Sequence, residues 1–246
     1  MTLSEDMKAL IAGIAGDRWK ADQPPGDAVL ATLFAPVVGF DDVKDLLRRA
    51  VRATRPVHVL LEGPPASAKT LFLMELGRLP EAHFVVGGTA SRAGFAELLV
   101  MWRPRYLLVD EVETIARLKD YAVLLHLMEN QEVVVTKHGK RLRIPLTTSV
   151  FAAGNDTRKL PRALLSRFGG PESVLRLRAY RREEFIEVAT KVLVEHEGVA
   201  RSFAEACAHA AAAVGSRDVR FGVRLARLAR DEASLDGVIQ AFGRRS

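Results

Sequence analysis

Short apolar runs alternate with helical periodicity along the chain from about Asp41. The runs occupy residues 57–61, 84–86, 106–109, 149–153 and 174–177. Runs of this length, bounded by glycine, proline and polar residues, are typical of strands buried on both faces. Because they alternate with helical patterns, we predict an α/β fold, a parallel sheet with flanking helices.

From residue 181 onward only helical patterns remain, and they predict a small all-helical unit. Its helices are predicted at residues 183–195, 203–214, 219–230 and 235–242. We therefore divide the chain into an N-terminal helical or linker segment (1–35), an α/β domain (36–179) and a helical domain (180–246), with a hinge near Tyr180.

The run at 57–61 leads directly into a loop with phosphate-binding chemistry. The loop residues are Gly63, Pro64, Pro65, Ala66, Ser67, Ala68, Lys69 and Thr70. A tight loop before a helix turns backbone N–H groups and the positive end of the helix dipole toward anionic oxygens. Lys69 would reach the β- and γ-phosphates, and Thr70 would ligate Mg²⁺. The alternative is an ordinary strand-turn-helix in which Lys69 is a solvated lysine.

Two acids follow the run at 106–109. Asp110 and Glu111 stand where the chain leaves the predicted strand, so both carboxylates can approach one site. Asp110 would hold Mg²⁺ through its water shell, and Glu111 would polarise an attacking water. The alternative is an acidic pair that caps the next helix.

The run at 149–153 delivers a polar amide at its end. Asn155 would orient a lytic water against the γ-phosphate. Residues 160–169 then predict a short helix that carries Arg167 to its tip. The alternative for Arg167 is a surface arginine at a helix end.

The four segments GPPASAKT, LLVDE, FAAGN and LLSRFG, in this order and at these spacings, resemble an AAA+ ATPase. Within that superfamily the chain is most similar to the RuvB, MoxR and MCM group. Residues 132–144 form two alternating runs around a glycine-containing turn, which predicts a β-hairpin. In those families a hairpin before the sensor strand faces the central pore or a partner.

The resemblance implies roles for further residues. Val38 and Gly39 match the segment that borders the adenine, and Arg220 matches a second sensor arginine on the lid. Arg167 would reach into the neighbouring subunit's site, so a homo-oligomeric ring, a hexamer by resemblance, is implied. The implied cofactors are ATP and Mg²⁺.

The sequence departs from the family pattern in its loop and at its end. Ala66 and Ala68 replace glycines, which stiffens the loop and requires a backbone conformation that alanine tolerates. The sequence ends at Ser246, where RuvB proteins continue into a winged-helix domain. The resemblance therefore does not imply branch migration.

Composition adds weaker constraints. The chain has 246 residues, a hydrophobic fraction of 48%, a net charge of +6 and a pI near 9.7. These values exclude general disorder and permit contact with polyanions. One cysteine, Cys207, excludes an internal disulfide framework. No signal peptide or membrane-spanning run is evident, so we expect a cytoplasmic protein without membrane contact.

The partner stays open between DNA and protein. A DNA motor would contact phosphates through basic residues at the hairpin tip and after the second strand, namely Lys137, His138, Lys140, Arg141 and Arg92. A MoxR-like ATPase would instead remodel a protein partner. A third interpretation is an ATP-dependent binding switch with little turnover.

Overall fold

The computed structural model describes residues 25–89, 91–137, 140–229 and 231–243. The strands are β1 (Val59–Glu62), β2 (Ala82–Val86), β3 (Tyr106–Asp110), β4 (Glu132–Lys137), β5 (Lys140–Pro145), β6 (Ser149–Gly154) and β7 (Leu175–Arg176). Five of them form one parallel sheet in the order β2-β3-β6-β1-β7. This arrangement confirms the predicted fold class.

The helices are α1 (Asp27–Thr32), α2 (Asp41–Arg52), α3 (Lys69–Leu76), α4 (Arg92–Trp102), α5 (Tyr121–Asn130), α6 (Arg162–Arg167), α7 (Arg182–Glu197), α8 (Arg201–Ala213), α9 (Val219–Leu228) and α10 (Glu232–Gly243). Those in the first part of the chain cover both faces of the sheet. Leu61 belongs to the core that contains Phe72 of α3, whereas its neighbour Leu60 belongs to the core that contains Leu127 of α5. Successive strand residues point to opposite faces, so one apolar strand serves both cores.

The central strands place their ends at one edge of the sheet. Every residue of β3 and of β6 is buried, and these strands pair in parallel from Tyr106 opposite Ser149 to Val109 opposite Ala152. β1 pairs with the other side of β6. Because parallel strands all end at the same edge, the segments that follow β1, β3 and β6 meet there.

The predicted hairpin is confirmed. β4 and β5 pair in antiparallel fashion outside the main sheet, with Val133 opposite Ile144. Both of these side chains are buried in the core beneath α5. The Gln131 carbonyl accepts a hydrogen bond from the Leu146 backbone at 2.7 Å, which closes the base of the hairpin directly after α5.

The C-terminal region is helical from α7 to α10, as the sequence predicts. Cys207 of α8 is fully buried, and its burial raises the pKa of the thiol to about 11. β7 is shorter than the predicted run at 174–177, because only Leu175 and Arg176 pair with β1. The domain boundaries at residues 35 and 179 stay predictions.

Within the described ranges, none of the helices has the length and apolar character needed to cross a membrane.

Candidate nucleotide-binding site

The phosphate loop lies between β1 and α3 and packs tightly against the segment after β7. A Cβ built on Gly63 would lie 2.7 Å from the Leu177 carbonyl oxygen and 2.8 Å from Ser67 Oγ, so only glycine fits at this position. Ser67 also forms an isolated antiparallel bridge with Ala179. The loop is therefore supported by backbone from the other end of the domain.

The two alanines that replace glycines differ in backbone conformation. Ala66 adopts φ +62°, a left-handed conformation that costs a residue with a Cβ about 1 kcal/mol. Ala68 adopts φ −68° directly before α3 and is buried, so it fits without strain. The loop tolerates the second substitution and stores strain at the first.

Lys69 is buried inside this loop. Its Nζ donates hydrogen bonds to the carbonyl oxygens of Gly63 at 2.8 Å and Pro64 at 2.7 Å, and to Ser67 Oγ at 3.1 Å. Burial lowers the pKa of Lys69, whereas the charges of Asp110 and Glu113 oppose this shift. A buried ammonium group enclosed by the loop differs from the solvated lysine of the alternative interpretation.

Thr70 and Asp110 are in direct contact. Thr70 Oγ1 donates to Asp110 Oδ2 at 2.9 Å, and Asp110 Oδ1 accepts from the Glu111 backbone at 2.9 Å. The described residues contain no cluster of three or more His, Cys, Asp or Glu side chains arranged to hold a metal. The hydroxyl and the carboxylate nevertheless fit Mg²⁺, which takes one or two protein oxygens and completes its shell with water and substrate phosphates.

Glu111 stands at a strained turn after β3. It adopts φ +49°, a left-handed conformation, and its side chain is exposed. A Cβ on Gly87 would lie 2.3 Å from the Glu111 carbonyl oxygen, so the turn depends on a glycine after β2. Unfavourable backbone of this kind is concentrated at functional sites.

Asn155 is bound to an acid that the sequence analysis did not single out. Glu113 Oε1 accepts from the Asn155 backbone N–H at 2.7 Å and from Asn155 Nδ2 at 3.0 Å. The signal available in the sequence was a second glutamate in the same turn, two residues after Glu111.

Arg220 comes from the helical region, at the start of α9. Its side chain is exposed and pairs with Asp218 at 3.2 Å. Its charge contributes to the lowered pKa of Lys69, after the larger effect of burial. Arg220 is therefore within electrostatic range of Lys69.

Val38 and Gly39 are half-buried next to two aromatic residues that the sequence analysis did not connect with them. Phe40 packs edge-on against Tyr180 with ring centroids 5.6 Å apart, and the Arg178 guanidinium lies 5.2 Å from the Phe40 ring. Burial raises the pKa of the Tyr180 phenol. This segment thus meets the chain where it enters the helical region.

Arg167 lies at the end of α6 and contacts α5. Its Nε donates to the Leu125 carbonyl at 2.9 Å, and its Nη2 pairs with Glu129 Oε2 at 2.8 Å. The contacts described for it do not include the phosphate loop or Asp110 of its own chain.

The predicted polyanion contacts are described only in part. Arg92 is exposed at the start of α4, where its backbone N–H donates to buried Asp120 at 2.9 Å. His138 and the side chains of Lys137, Lys140 and Arg141 lie outside the described residues.

Comparisons with known proteins find similarity to RuvB. No family model matches the chain. The Holliday junction branch migration complex subunit RuvB of Clavibacter michiganensis is 32% identical over 167 residues, which cover 63% of this chain and 46% of that protein. The chain thus spans less than half the length of this curated relative.

A solved structure gives the fold. A point mutant of Thermotoga maritima RuvB matches with a TM-score of 0.56 and 22% identity, and the match covers 76% of this chain and 61% of that one. The similarity to RuvB confirms the resemblance that the motifs indicated, and the chain has the AAA+ fold of the RuvB-like type.

Proposed function

We propose that this chain hydrolyses ATP at the interfaces of a homo-oligomeric ring and acts as a RuvB-like DNA-associated motor. The observation that carries the proposal is the contact between Thr70 and Asp110. It joins the phosphate loop to the acidic strand end, the arrangement that a Mg²⁺-nucleotide needs.

Each residue at the sheet edge has a step to perform. Backbone N–H groups of the loop receive the phosphates, and Lys69 exchanges its loop carbonyls for phosphate oxygens. Mg²⁺, held by Thr70 and Asp110, would neutralise developing charge on the β- and γ-phosphates. Glu111 accepts a hydrogen bond from the attacking water, and Asn155 orients that water. Arg220 reports the nucleotide state to the helical region.

Arg167 acts on the neighbouring subunit. It is directed toward α5 of its own chain, and its acidic partner Glu129 is 57% exposed, so a different partner can replace it on assembly. A guanidinium group that a neighbouring subunit brings to the γ-phosphate stabilises the charge of the transition state. This role supports a ring, six subunits by family resemblance.

DNA as the partner is supported by the function printed for the curated relative and by the basic balance of this chain. A net charge of +6 favours contact with a phosphate backbone, which is sequence-independent and sensitive to salt. The hairpin residues Lys137, His138, Lys140 and Arg141, together with Arg92, are the proposed contacts.

Steady-state ATP hydrolysis tests the proposal. We expect the wild type to hydrolyse ATP and Glu111→Gln to lose about 10²-fold or more in rate. Single-stranded, duplex or branched DNA at low salt should stimulate the wild type several-fold, and replacement of Lys137, Lys140 and Arg141 by Ala should remove the stimulation. A Glu111-dependent rate that DNA leaves unchanged would instead indicate protein remodelling, and a rate that ignores Glu111 would indicate a binding switch.

A further inference from the structure

Glu113 occupies an unusual position for a glutamate. It lies in the turn after β3, half-buried, and that turn meets the segment after β6 because β3 and β6 are paired neighbours. One carboxylate oxygen, Oε1, accepts two hydrogen bonds from a single residue, Asn155. The pair joins two strand ends that are distant in sequence.

The other oxygen, Oε2, shows that the side chain is closely confined. It is buried and has no hydrogen-bond partner among the described residues. A Cβ built on Gly154 would lie only 2.7 Å from it. A buried carboxylate oxygen without a partner costs stability, so this arrangement is not explained by its contribution to folding.

Asn155 would be mobile without this acid. It follows β6 directly and is exposed, and an exposed carboxamide rotates freely between orientations. The bond from Nδ2 to Glu113 removes that freedom and also fixes which end of the amide is the donor. One N–H then points to Glu113, while Oδ1 and the second N–H are left for other groups.

We propose that Glu113 is a positioning residue: it holds the Asn155 carboxamide so that Oδ1 receives the attacking water and the second N–H faces the γ-phosphate. The inference rests on the proposed ATP hydrolysis. Gly154 has a supporting role, because its missing side chain leaves the space that Glu113 needs. The charge of Glu113 also opposes the lowering of the pKa of Lys69 by burial.

Kinetics test the proposal through a double-mutant cycle. We expect Glu113→Ala to lower kcat for ATP about 10- to 100-fold, with a KM change within about threefold. Glu113→Gln should restore kcat to within a few-fold of the wild type, because its amide oxygen still accepts both hydrogen bonds. In the Asn155→Ala background, Glu113→Ala should have no further effect. Independent, additive losses would overturn the proposal, as would wild-type kcat in Glu113→Ala.

Two further variants separate positioning from damage to the fold. Gly154→Ala should lower kcat as Glu113→Ala does, because its methyl group displaces the carboxylate, and it should add little once Glu113 is Ala. Glu97→Ala removes an exposed glutamate on α4 and should leave kcat unchanged. A loss in the Glu97 variant equal to that of Glu113 would contradict a specific role.

An NMR measurement is independent of turnover. The sequence contains only two asparagines, Asn130 and Asn155, so ¹⁵N-asparagine labelling gives two side-chain amide pairs. Glu113→Gln should keep the Asn155 amide shifted as in the wild type, and Glu113→Ala should move it to the free-amide position. Asn130, which contacts His126, serves as the internal control. An unmoved Asn155 signal would overturn the positioning role even if ATP hydrolysis holds, whereas a moved signal with no Glu111-dependent hydrolysis would refute only the proposed function.

Discussion

The sheet-edge cluster (Lys69, Thr70, Asp110, Glu113 and Asn155) and Arg167 differ in how their polar groups are held. In the cluster, Thr70 pairs with Asp110 and Glu113 pairs with Asn155, so these members hold one another, and Lys69 is held by carbonyl groups of its own loop. Arg167 is held by a carbonyl of α5 and by Glu129, which is 57% exposed. Groups that bind one another suit a site assembled within one chain, whereas an ion pair with one largely exposed partner is easier to exchange. The comparison favours the proposal that Arg167 changes partners on assembly.

The largest expected effect is on kcat, and it comes from the replacement of Arg167. Arg167→Ala should lower kcat about 10³-fold, roughly 4 kcal/mol, while ATP affinity changes little. Arg162→Ala, at the exposed start of the same helix, is the matched control and should retain activity. Steady-state kinetics and nucleotide titration measure the two quantities.

A mixing experiment decides whether Arg167 acts in the neighbouring subunit. We expect Arg167→Ala and Glu111→Gln subunits to be nearly inactive alone, whereas a mixed ring would contain interfaces with both residues intact. Activity should therefore reappear on mixing. Failure to recover in a ring shown to be mixed would place both residues in one subunit's site and would refute the difference between the two regions.

The next effect tests the cluster itself. Lys69→Ala should weaken ATP binding about 100-fold, roughly 3 kcal/mol, because the loop then lacks the ammonium group that would pair with the phosphates. Lys191→Ala, which removes a half-buried helix lysine paired with Glu187, should leave affinity unchanged. Calorimetric titration with a non-hydrolysable nucleotide measures both. Equal affinities for the two variants would mean that the buried ammonium has a structural role only.

Backbone strain gives a smaller effect on the loop. Left-handed φ is taken by Ala66 in the phosphate loop, but after Arg167 it is taken by Gly169 and Gly170, where it causes no strain. Ala66→Gly should raise the free energy of unfolding by about 1 kcal/mol, and Ala68→Gly should lower it by about 1 kcal/mol. Denaturant unfolding of both variants checks the opposite signs. If Ala66→Gly lowered the free energy of unfolding as much as Ala68→Gly does, the backbone of Ala66 would not be strained.

The smallest effect concerns the ion pair on α5. Glu129→Gln should lower the free energy of unfolding by less than about 1 kcal/mol. Under the proposed role of Arg167, the pair competes with the neighbour's site for this arginine, so turnover should rise about two- to fivefold, the factor that ~0.4–1 kcal/mol represents. Reduced turnover would mean that Glu129 orients Arg167 for the neighbour's site and does not hold it away from that site.

Strands, phosphate loop and hairpin could all be predicted from local pattern. Apolar runs ended by glycine or acids identify β1, β3 and β6, and parallel pairing then brings Lys69, Asp110 and Asn155 to one edge. The predicted last strand was too long, because pairing with β1 ends after Arg176. The apolar pattern of a sequence identifies the strands but does not show where their pairing with a neighbouring strand ends.

The bonds between segments could not be predicted. The contact of Glu113 with Asn155 depends on the confinement of a carboxylate beside Gly154, and the contact of Arg167 with Glu129 depends on how α6 packs on α5. Neither is encoded by spacing or periodicity. Side-chain partners of this kind follow from three-dimensional packing, which a single sequence does not reveal.

The bridge between Ser67 and Ala179 has a consequence for protein engineering. The phosphate loop shares backbone pairing with the segment after β7, and Gly63 is fitted against Leu177. Residues 63–70 grafted alone onto another sheet would lack this support, and we expect the loop to lose its conformation. The smallest transplantable unit therefore includes residues 175–179, and a circular permutant that reopens the chain after Tyr180 should leave that unit whole.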